Sequence, residues 1–370
     1  MTTSEKKTPL YEAHARRGAK FTEFGGWRMP VQYSGILQEH LHTRSAVSLF
    51  DISHMGEFLL TGPGARRDVG RLISSAVERM QVGQCRYGLM LDESGGILDD
   101  LITCRSGEES YMLVVNAATT ETDAAWIQDH LSSDAVFCDI SQEMAKIDVQ
   151  GPRALELLSD VTDRPIDRLA YFHVQQARLW EFEALISRTG YTGELGYELY
   201  VAPNVVETIW ERLLMHPFTE PAGLGARDTL RLEMGYPLYG QELGRTRTPL
   251  EAGLDPYVRL EKAFIGRDAL LRRRAEGISQ ILVGLLLEGR QSARPGFPIM
   301  HQGERVGAVT SGSFSPSLGR AIGLGYVGID QQTPGTRLEL HCGKHPLPAE
   351  VVSLPFYKKG SVRRETTLTP

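Results

Sequence analysis

The chain has 370 residues and a net formal charge of −6, with 41% hydrophobic and 23% charged residues. This composition is typical of a globular protein with a large core, and the length favours about two or three domains. The acidic balance argues against nucleic acid as the main partner, because phosphate binding favours a basic surface. The longest apolar runs, such as residues 281–287, are too short to span a bilayer.

The N-terminal part of the chain is predicted to mix helices with short strands. Apolar spacing predicts helices over residues 1–20, 34–48 and 65–80. Residues 48–64 are predicted to lead from the helix into a strand that ends at a Gly-Pro pair. The N-terminus lacks the apolar stretch of a secretory signal. The four cysteines are widely spaced, which favours reduced, buried thiols over a zinc site.

Residues 85–118 are predicted to form three strands joined by two turns, followed by a helix over 119–131. The second strand carries Asp99 and Asp100 side by side, just after Gly95 and Gly96. Adjacent side chains in a strand point to opposite faces, so these two cannot form a paired-carboxylate dyad without a bulge. One is expected to be a lone functional carboxylate, and the other to hold the turn or meet solvent. Periodicity does not decide which is which.

The second half of the chain begins with a strand and helix at residues 144–158 and a hairpin at 183–201. Glu198 in this hairpin is expected to be solvated. The alternative is a planar ligand with an N–C–N edge, from which a carboxylate can accept two hydrogen bonds. Residues 223–243 are predicted to be partly helical. Arg227 there fits either a structural ion pair or a ligand site.

After about residue 275 the sequence has many turns, short strands and no helical pattern, which predicts a small all-β barrel or sandwich. The segment GLGYVG (323–328) matches a dinucleotide fingerprint, but a Pro-Gly break stands where the helix should follow. We therefore assign these glycines to barrel packing and expect no nucleotide. The histidines of HCGKH (341–345) lack further metal ligands, and no metal is expected.

Taken together, a series of motifs resembles the T-protein, or aminomethyltransferase, family of the glycine cleavage system from about residue 8 to residue 365. The motifs, in order, are TPLYEAH, GGWRMPVQY, FDISHMGEF, GGILDDL, VVNAA, SRTGYTGELGYE, GLGARDTLRLE, LYGQE, FIGRDAL, TSGSFSPSLG and GSVRRE. The resemblance implies an α+β fold of three domains arranged like a clover leaf, with a C-terminal β-barrel and a central folate cavity. The expected domains are 1–50 with 140–275, 51–139, and 276–370.

The resemblance also assigns site residues. It selects Asp100, the second of the two aspartates, as the key catalytic acid, and Glu198 as the carboxylate that holds the pterin edge. The other expected folate-binding residues are Tyr87, Asn116, Tyr191, Arg227, Tyr236 and Arg364. For the last position, the neighbouring Arg363 is an alternative.

The implied reaction transfers the methylene of an aminomethyl group from lipoylated H-protein to tetrahydrofolate, releasing ammonia. Tetrahydrofolate and H-protein are thus the expected co-substrate and partner, with no metal, nucleotide, nucleic acid or membrane. We expect a monomer. We also expect the cytoplasm, because the match begins too early to leave room for a mitochondrial presequence. The first alternative is a folate-dependent demethylase of a small methylated compound. A non-catalytic folate-binding protein of iron–sulfur assembly is disfavoured, because RLEMGYPLYGQE lacks that group's Lys-Gly-Cys stretch.

Overall fold

The computed structural model of the chain describes residues 5–341 and 345–363. Within them lie a six-stranded sheet, a five-stranded sheet and a closed six-stranded barrel, with helices against the two sheets. The α+β class and the C-terminal barrel are therefore confirmed.

The N-terminal segment forms a small hairpin between two helices. The elements are α1 (Tyr11–Arg16), β1 (Lys20–Phe24), β2 (Trp27–Gln32), α2 (Ile36–Ser45) and β3 (Val47–Asp51). The helix expected over residues 1–20 is much shorter, because the chain leaves it at Gly18, with φ of 72°, and pairs β1 with β2. The buried Glu39 carboxylate accepts the N–H of Gly35 at the start of α2 over 3.0 Å.

The next segment builds the five-stranded sheet. The elements are β4 (Gly56–Thr61), α3 (Ala65–Leu72), β5 (Cys85–Leu91), β6 (Ile97–Gly107), β7 (Ser110–Val115), α4 (Thr120–Asp129) and β8 (Val136–Asp139), and the sheet order is β5-β6-β7-β4-β8. The predicted three-strand meander is β5, β6 and β7. Asp92 holds the turn before β6 by accepting the amides of Ser94 and Gly96 over 2.9 and 3.0 Å. Cys85 and Cys104 are buried as expected, but Cys138 is exposed because it lies on the edge strand β8.

The third segment completes the six-stranded sheet, in the order β10-β11-β12-β9-β3-β13. The elements are β9 (Ala145–Gln150), α5 (Ala154–Ser159), β10 (Val174–Leu179), β11 (Phe182–Ser187), β12 (Gly196–Val201), α6 (Val206–Leu214), β13 (Thr219–Pro221), α7 (Leu224–Glu233) and α8 (Arg267–Glu276). Strand β3 enters this sheet from the N-terminal segment, between β9 and β13. The division into three domains at the predicted boundaries stays a proposal.

The barrel contains β14 (Gln280–Leu287), β15 (Pro298–His301), β16 (Glu304–Ser315), β17 (Arg320–Gly328), β18 (Arg337–His341) and β19 (Pro346–Val352). It closes in the order β14-β17-β16-β15-β18-β19. The GLGYVG segment lies in β17, where a Cβ on Gly325 would come within 2.8 Å of Ile299 and 2.9 Å of the Ala308 carbonyl. These glycines therefore serve close packing rather than a phosphate loop.

Glu233, at the end of α7, joins the barrel to the six-stranded sheet. Its carboxylate accepts Arg44 Nη2 over 2.8 Å from α2, and the hydroxyls of Ser315 and Ser317 over 2.5 and 2.8 Å from the barrel. The GLGARDTLRLE and TSGSFSPSLG motifs thus meet in one buried ionic network. No helix in the described ranges is long and apolar enough to cross a membrane.

Candidate active site

Asp100 lies in β6 with its carboxylate fixed from two neighbouring strands. Tyr87, on β5, donates its hydroxyl to Oδ2 over 3.0 Å. Asn116, just after β7, donates Nδ2–H to Oδ1 over 3.0 Å. The carboxylate is half-buried, so it is both held in place and open to a ligand.

Asp99 neither holds the turn nor meets solvent, which corrects the expectation for the second carboxylate of the pair. Its side chain is 0% exposed. Oδ2 accepts the Asn116 main-chain N–H over 3.0 Å, and Oδ1 accepts Asn116 Nδ2–H over 2.8 Å. The physical reason is that Asn116, just after β7, covers the Asp99 carboxylate and takes the place of solvent.

Burial, together with the charge of Asp99, raises the pKa of Asp100 to about 7, although the hydrogen bonds from Tyr87 and Asn116 act in the opposite direction. A carboxyl group with a pKa near 7 can accept or donate a proton at neutral pH. The same environment raises the pKa of the Tyr87 hydroxyl well above its usual range, through burial first and then Asp100. Tyr87 therefore stays a hydrogen-bond donor.

The second half of the site lies on the six-stranded sheet. Glu198 Oε2, on β12, accepts the Tyr200 hydroxyl over 2.9 Å. Directly across the ladder on β9 is Asp148, whose Oδ2 accepts Arg227 Nη1–H over 2.6 Å. Arg227 thereby holds a cation close to two neighbouring carboxylates.

Tyr191 connects the two halves. Its ring stacks on Tyr236 at a centroid distance of 5.7 Å and an interplanar angle of 25°, and the Arg227 guanidinium lies 5.0 Å from its centroid. Burial raises the pKa of Tyr191, and both Asp100 and Arg227 act on it electrostatically. The loop SRTGYTGELGYE thus presents an aromatic face between Asp100 and the Glu198 side.

The seven predicted site residues that lie in the described ranges share one property: each is half-buried. They are Tyr87, Asp100, Asn116, Tyr191, Glu198, Arg227 and Tyr236. Arg364 lies outside the described residues. Arg363 is described, and its charge acts on the hydroxyls of Tyr171 and Tyr236. It is brought there by Val362, whose N–H bonds the Gly193 carbonyl over 3.1 Å.

Sequence reasoning missed three charged residues beside the site. Asp148 partners Arg227, and Lys146 lies 2.5 Å from Glu57, with both side chains almost fully buried. Asp123 is buried on α4. The available signal was the same for Asp148 and Lys146: a charged residue inside an otherwise apolar strand, which has to find a partner.

The residue types fit a folate molecule. Stacked tyrosines offer a π-face to a flat ring, and Glu198 offers a carboxylate to an N–C–N edge. Among the residues that the structure describes, no group of three His, Cys, Asp or Glu side chains is placed to hold a metal ion.

Comparison with known proteins shows which family the chain belongs to. Residues 10–262 match the family model described as the GCVT N-terminal domain, and residues 281–358 match the glycine cleavage T-protein C-terminal barrel domain. Among curated relatives, the aminomethyltransferase of Halothermothrix orenii is 45% identical over 95% of this chain and 99% of its own length. That of Moorella thermoacetica is also 45% identical, over 96% and 98%.

The crystal structure of the glycine cleavage system aminomethyltransferase T from Bartonella henselae has a TM-score of 0.92 and 36% identity. The match covers 97% of this chain and 99% of that one. The chain therefore belongs to the glycine cleavage T-protein family, the aminomethyltransferases.

Proposed function

We propose that this protein is the aminomethyltransferase of a glycine cleavage system. It transfers the methylene of an aminomethyl group, carried as a thioether on the lipoyl arm of H-protein, to tetrahydrofolate. The C–S and C–N bonds of the aminomethyl group break, and two new C–N bonds form to the folate nitrogens. The two protons released by those nitrogens end on the leaving ammonia and on the lipoyl sulfur, so atoms and charge balance.

The observation that carries this proposal is the position of Asp100. It is a half-buried carboxylate held by Tyr87 and Asn116, and its pKa is raised to about 7. Such a group can take a proton from a folate nitrogen and stabilise the positive charge that develops at the methylene carbon. Its fixed orientation also removes rotational freedom that the reaction would otherwise have to restrict.

The other residues bind and orient. Glu198 accepts two N–H groups from the pterin edge, and the Tyr191–Tyr236 stack covers the ring system. Arg227 and Arg363 supply positive charge for the anionic end of folate. Arg364, the other candidate for the C-terminal position, lies outside the described residues. In this arrangement the folate occupies the space between the two sheets, and the lipoyl arm enters from another side.

We also propose that the protein works as a monomer in the cytoplasm. The described cysteines support a reducing compartment, since Cys85, Cys104 and Cys138 are all free thiols. Size-exclusion chromatography with light scattering tests the monomer directly.

The decisive experiment measures ammonia release from aminomethyl-loaded H-protein with and without tetrahydrofolate. The proposal expects folate to accelerate release strongly, with methylenetetrahydrofolate appearing in equal amount. Protein that binds folate but releases no ammonia above background would support the small-molecule demethylase instead. That alternative is not favoured, because full-length curated relatives are named aminomethyltransferases.

A further inference from the structure

The hydroxyl of Tyr200 contacts Glu198 but has no part in the reaction as described so far. The two residues are two positions apart on β12, so their side chains point to the same face of the sheet. Tyr200 donates its hydroxyl to Glu198 Oε2 over 2.9 Å. Tyr200 is 2% exposed, whereas Glu198 is half-buried. A buried side chain therefore holds a carboxylate that a ligand can still reach.

The ring of Tyr200 is held by the five-stranded sheet. It packs in a buried cluster with Cys85 on β5 and Cys104 on β6. Cys85 is a cross-strand partner of Cys104, and these positions alternate in step with Tyr87 and Asp100 on the same two strands. The face of the sheet that carries Asp100 is therefore also the face that holds the Tyr200 ring. Through this packing, Tyr200 connects the strands of Asp100 to the carboxylate of Glu198.

Lys146 on β9 supports the ring from its own sheet. It is the direct cross-strand partner of Tyr200, and its ammonium lies 5.4 Å from the ring centroid. Its Nζ also lies 2.5 Å from Glu57 Oε1 on β4, in the five-stranded sheet, and both side chains are almost fully buried. A buried ammonium needs such a counter-charge, and an aromatic face adds a weaker attraction. The ion pair is therefore a second connection between the two sheets beside Tyr200.

The hydrogen bond between Tyr200 and Glu198 has a fixed direction. Burial, and then the charge of Glu198, raises the pKa of Tyr200 well above its usual range, so its hydroxyl keeps its proton and donates. An ionised carboxylate has about four lone-pair positions. The Tyr200 hydroxyl uses one of them, which leaves acceptor positions on both oxygens of Glu198 for two N–H groups of a ligand.

We propose that Tyr200 is a positioning residue that sets the Glu198 carboxylate toward the pterin edge, in a fixed relation to Asp100, and so makes the site selective for a ring with two N–H donors. The inference rests on the proposed function, because it deepens the role of Glu198 in folate binding. Tyr200 touches no reacting atom and acts only through Glu198.

The variant Tyr200→Phe keeps the ring and its packing and removes only the hydroxyl. Tetrahydrofolate affinity should fall about tenfold, because the carboxylate loses the charge-assisted hydrogen bond that orients it. An analogue with a methyl group in place of the 2-amino group offers one donor to Glu198 instead of two. It depends less on that orientation, so its affinity should fall less than about threefold.

A second pair of variants tests whether Tyr200 acts through Glu198. In a Glu198→Ala background there is no carboxylate to set, so adding Tyr200→Phe should change tetrahydrofolate affinity by less than about twofold. A tenfold further loss in that background would show that the hydroxyl acts elsewhere, and it would overturn the inference.

The experiment is calorimetric binding of tetrahydrofolate and of the 2-methyl analogue to each full-length variant, with thermal unfolding to verify that each is folded. Tyr197→Phe is the matched control. Tyr197 lies on the same strand but on the opposite face, is 0% exposed, and its hydroxyl has no hydrogen-bond partner among the described residues. It should bind both ligands as wild type does. In Tyr200→Phe, unchanged affinities or an equal loss for the two ligands would overturn the inference.

The binding experiment needs no H-protein, so this inference and the proposed reaction fail differently. Wild-type protein that prefers tetrahydrofolate to the analogue but releases no ammonia would remove the reaction and leave the role of Tyr200 intact. Wild-type protein without that preference would remove the role of Glu198, and the inference with it. A Tyr200→Phe variant with the full wild-type preference would remove the inference alone, even in an active enzyme.

Discussion

Arg227 on α7 donates Nη1–H to Asp148 Oδ2 on β9 over 2.6 Å, and Asp148 is fully buried. Burial, together with the nearby Glu198, raises the pKa of Asp148 to about 7, although Arg227 acts in the opposite direction. The arginine therefore has two roles. It stabilises a buried carboxylate, and it remains partly exposed toward the aromatic face where folate is proposed to bind.

The first prediction separates these two roles. Arg227→Ala leaves Asp148 buried without its cation, so the pKa of Asp148 rises further and stability falls as the pH increases through that value. We expect a loss of about 2–3 kcal/mol at pH 8 and a smaller loss at pH 6, by thermal or urea unfolding.

Adding Asp148→Asn should restore stability at pH 8 but not folate affinity, because the guanidinium is still missing. Arg178→Ala, which breaks an exposed pair with Glu183, is the control and should change stability by less than about 0.5 kcal/mol. A double variant no more stable than Arg227→Ala would contradict the ion-pair role.

The second prediction concerns the cost in folding stability of burying the Asp100 carboxyl group. The folded-state pKa of Asp100 is about 7, above the ordinary aspartate value of 3.8, so its contribution to stability is present at low pH and is lost as the pH rises toward 7. The Asp100→Asn variant has no carboxyl group to ionise, so it does not lose this stability as the pH rises. The free variant should therefore be more stable than wild type at pH 8, on the order of 1 kcal/mol, with a smaller difference near pH 4. Unfolding curves of both proteins at both pH values test this. A stability difference between variant and wild type that is the same at both pH values would argue against a raised pKa of Asp100.

The third prediction concerns the junction between barrel and sheet. Burial alone would raise the pKa of Glu233, but His40, Arg44 and Ser315 hold it at about 2. Its stabilising effect is therefore present above the unfolded value and is lost only as the pH falls toward 2. Glu233→Ala should destabilise the protein by about 3 kcal/mol or more, because it strands a buried cation. Glu207→Ala, from an exposed pair with Arg16, should have almost no effect. Similar losses of stability in both variants would contradict the proposal that Glu233 stabilises the junction more than an exposed ion pair does.

Much of the fold could be predicted because local patterns and final structure agree. The density of turns after residue 275 predicted the barrel, and the two turns within residues 85–118 predicted the β5–β7 meander. The first helix was overestimated, because pairing of β1 with β2 overrides the helical spacing of residues 17–20.

The site was only partly predictable, for a physical reason. A strand pattern says that Asp99 and Asp100 face opposite ways, but not what faces them. Asp123 acts on Asp99 from α4, the helix that follows β7 in the chain, and Arg227 reaches Asp148 across 79 positions of sequence. Such partners are set by tertiary packing, so motif resemblance could choose Asp100 but could not reveal how it is held.

The most direct test of the account is a single-turnover measurement with Asp100→Asn. Wild-type and variant protein are mixed with aminomethyl-loaded H-protein and tetrahydrofolate, and the rate of methylenetetrahydrofolate formation is compared with folate affinity measured separately. The account predicts a rate at least about a hundredfold lower, with folate affinity within about tenfold. A variant that turns over at the wild-type rate would contradict the assignment of Asp100 as the catalytic residue.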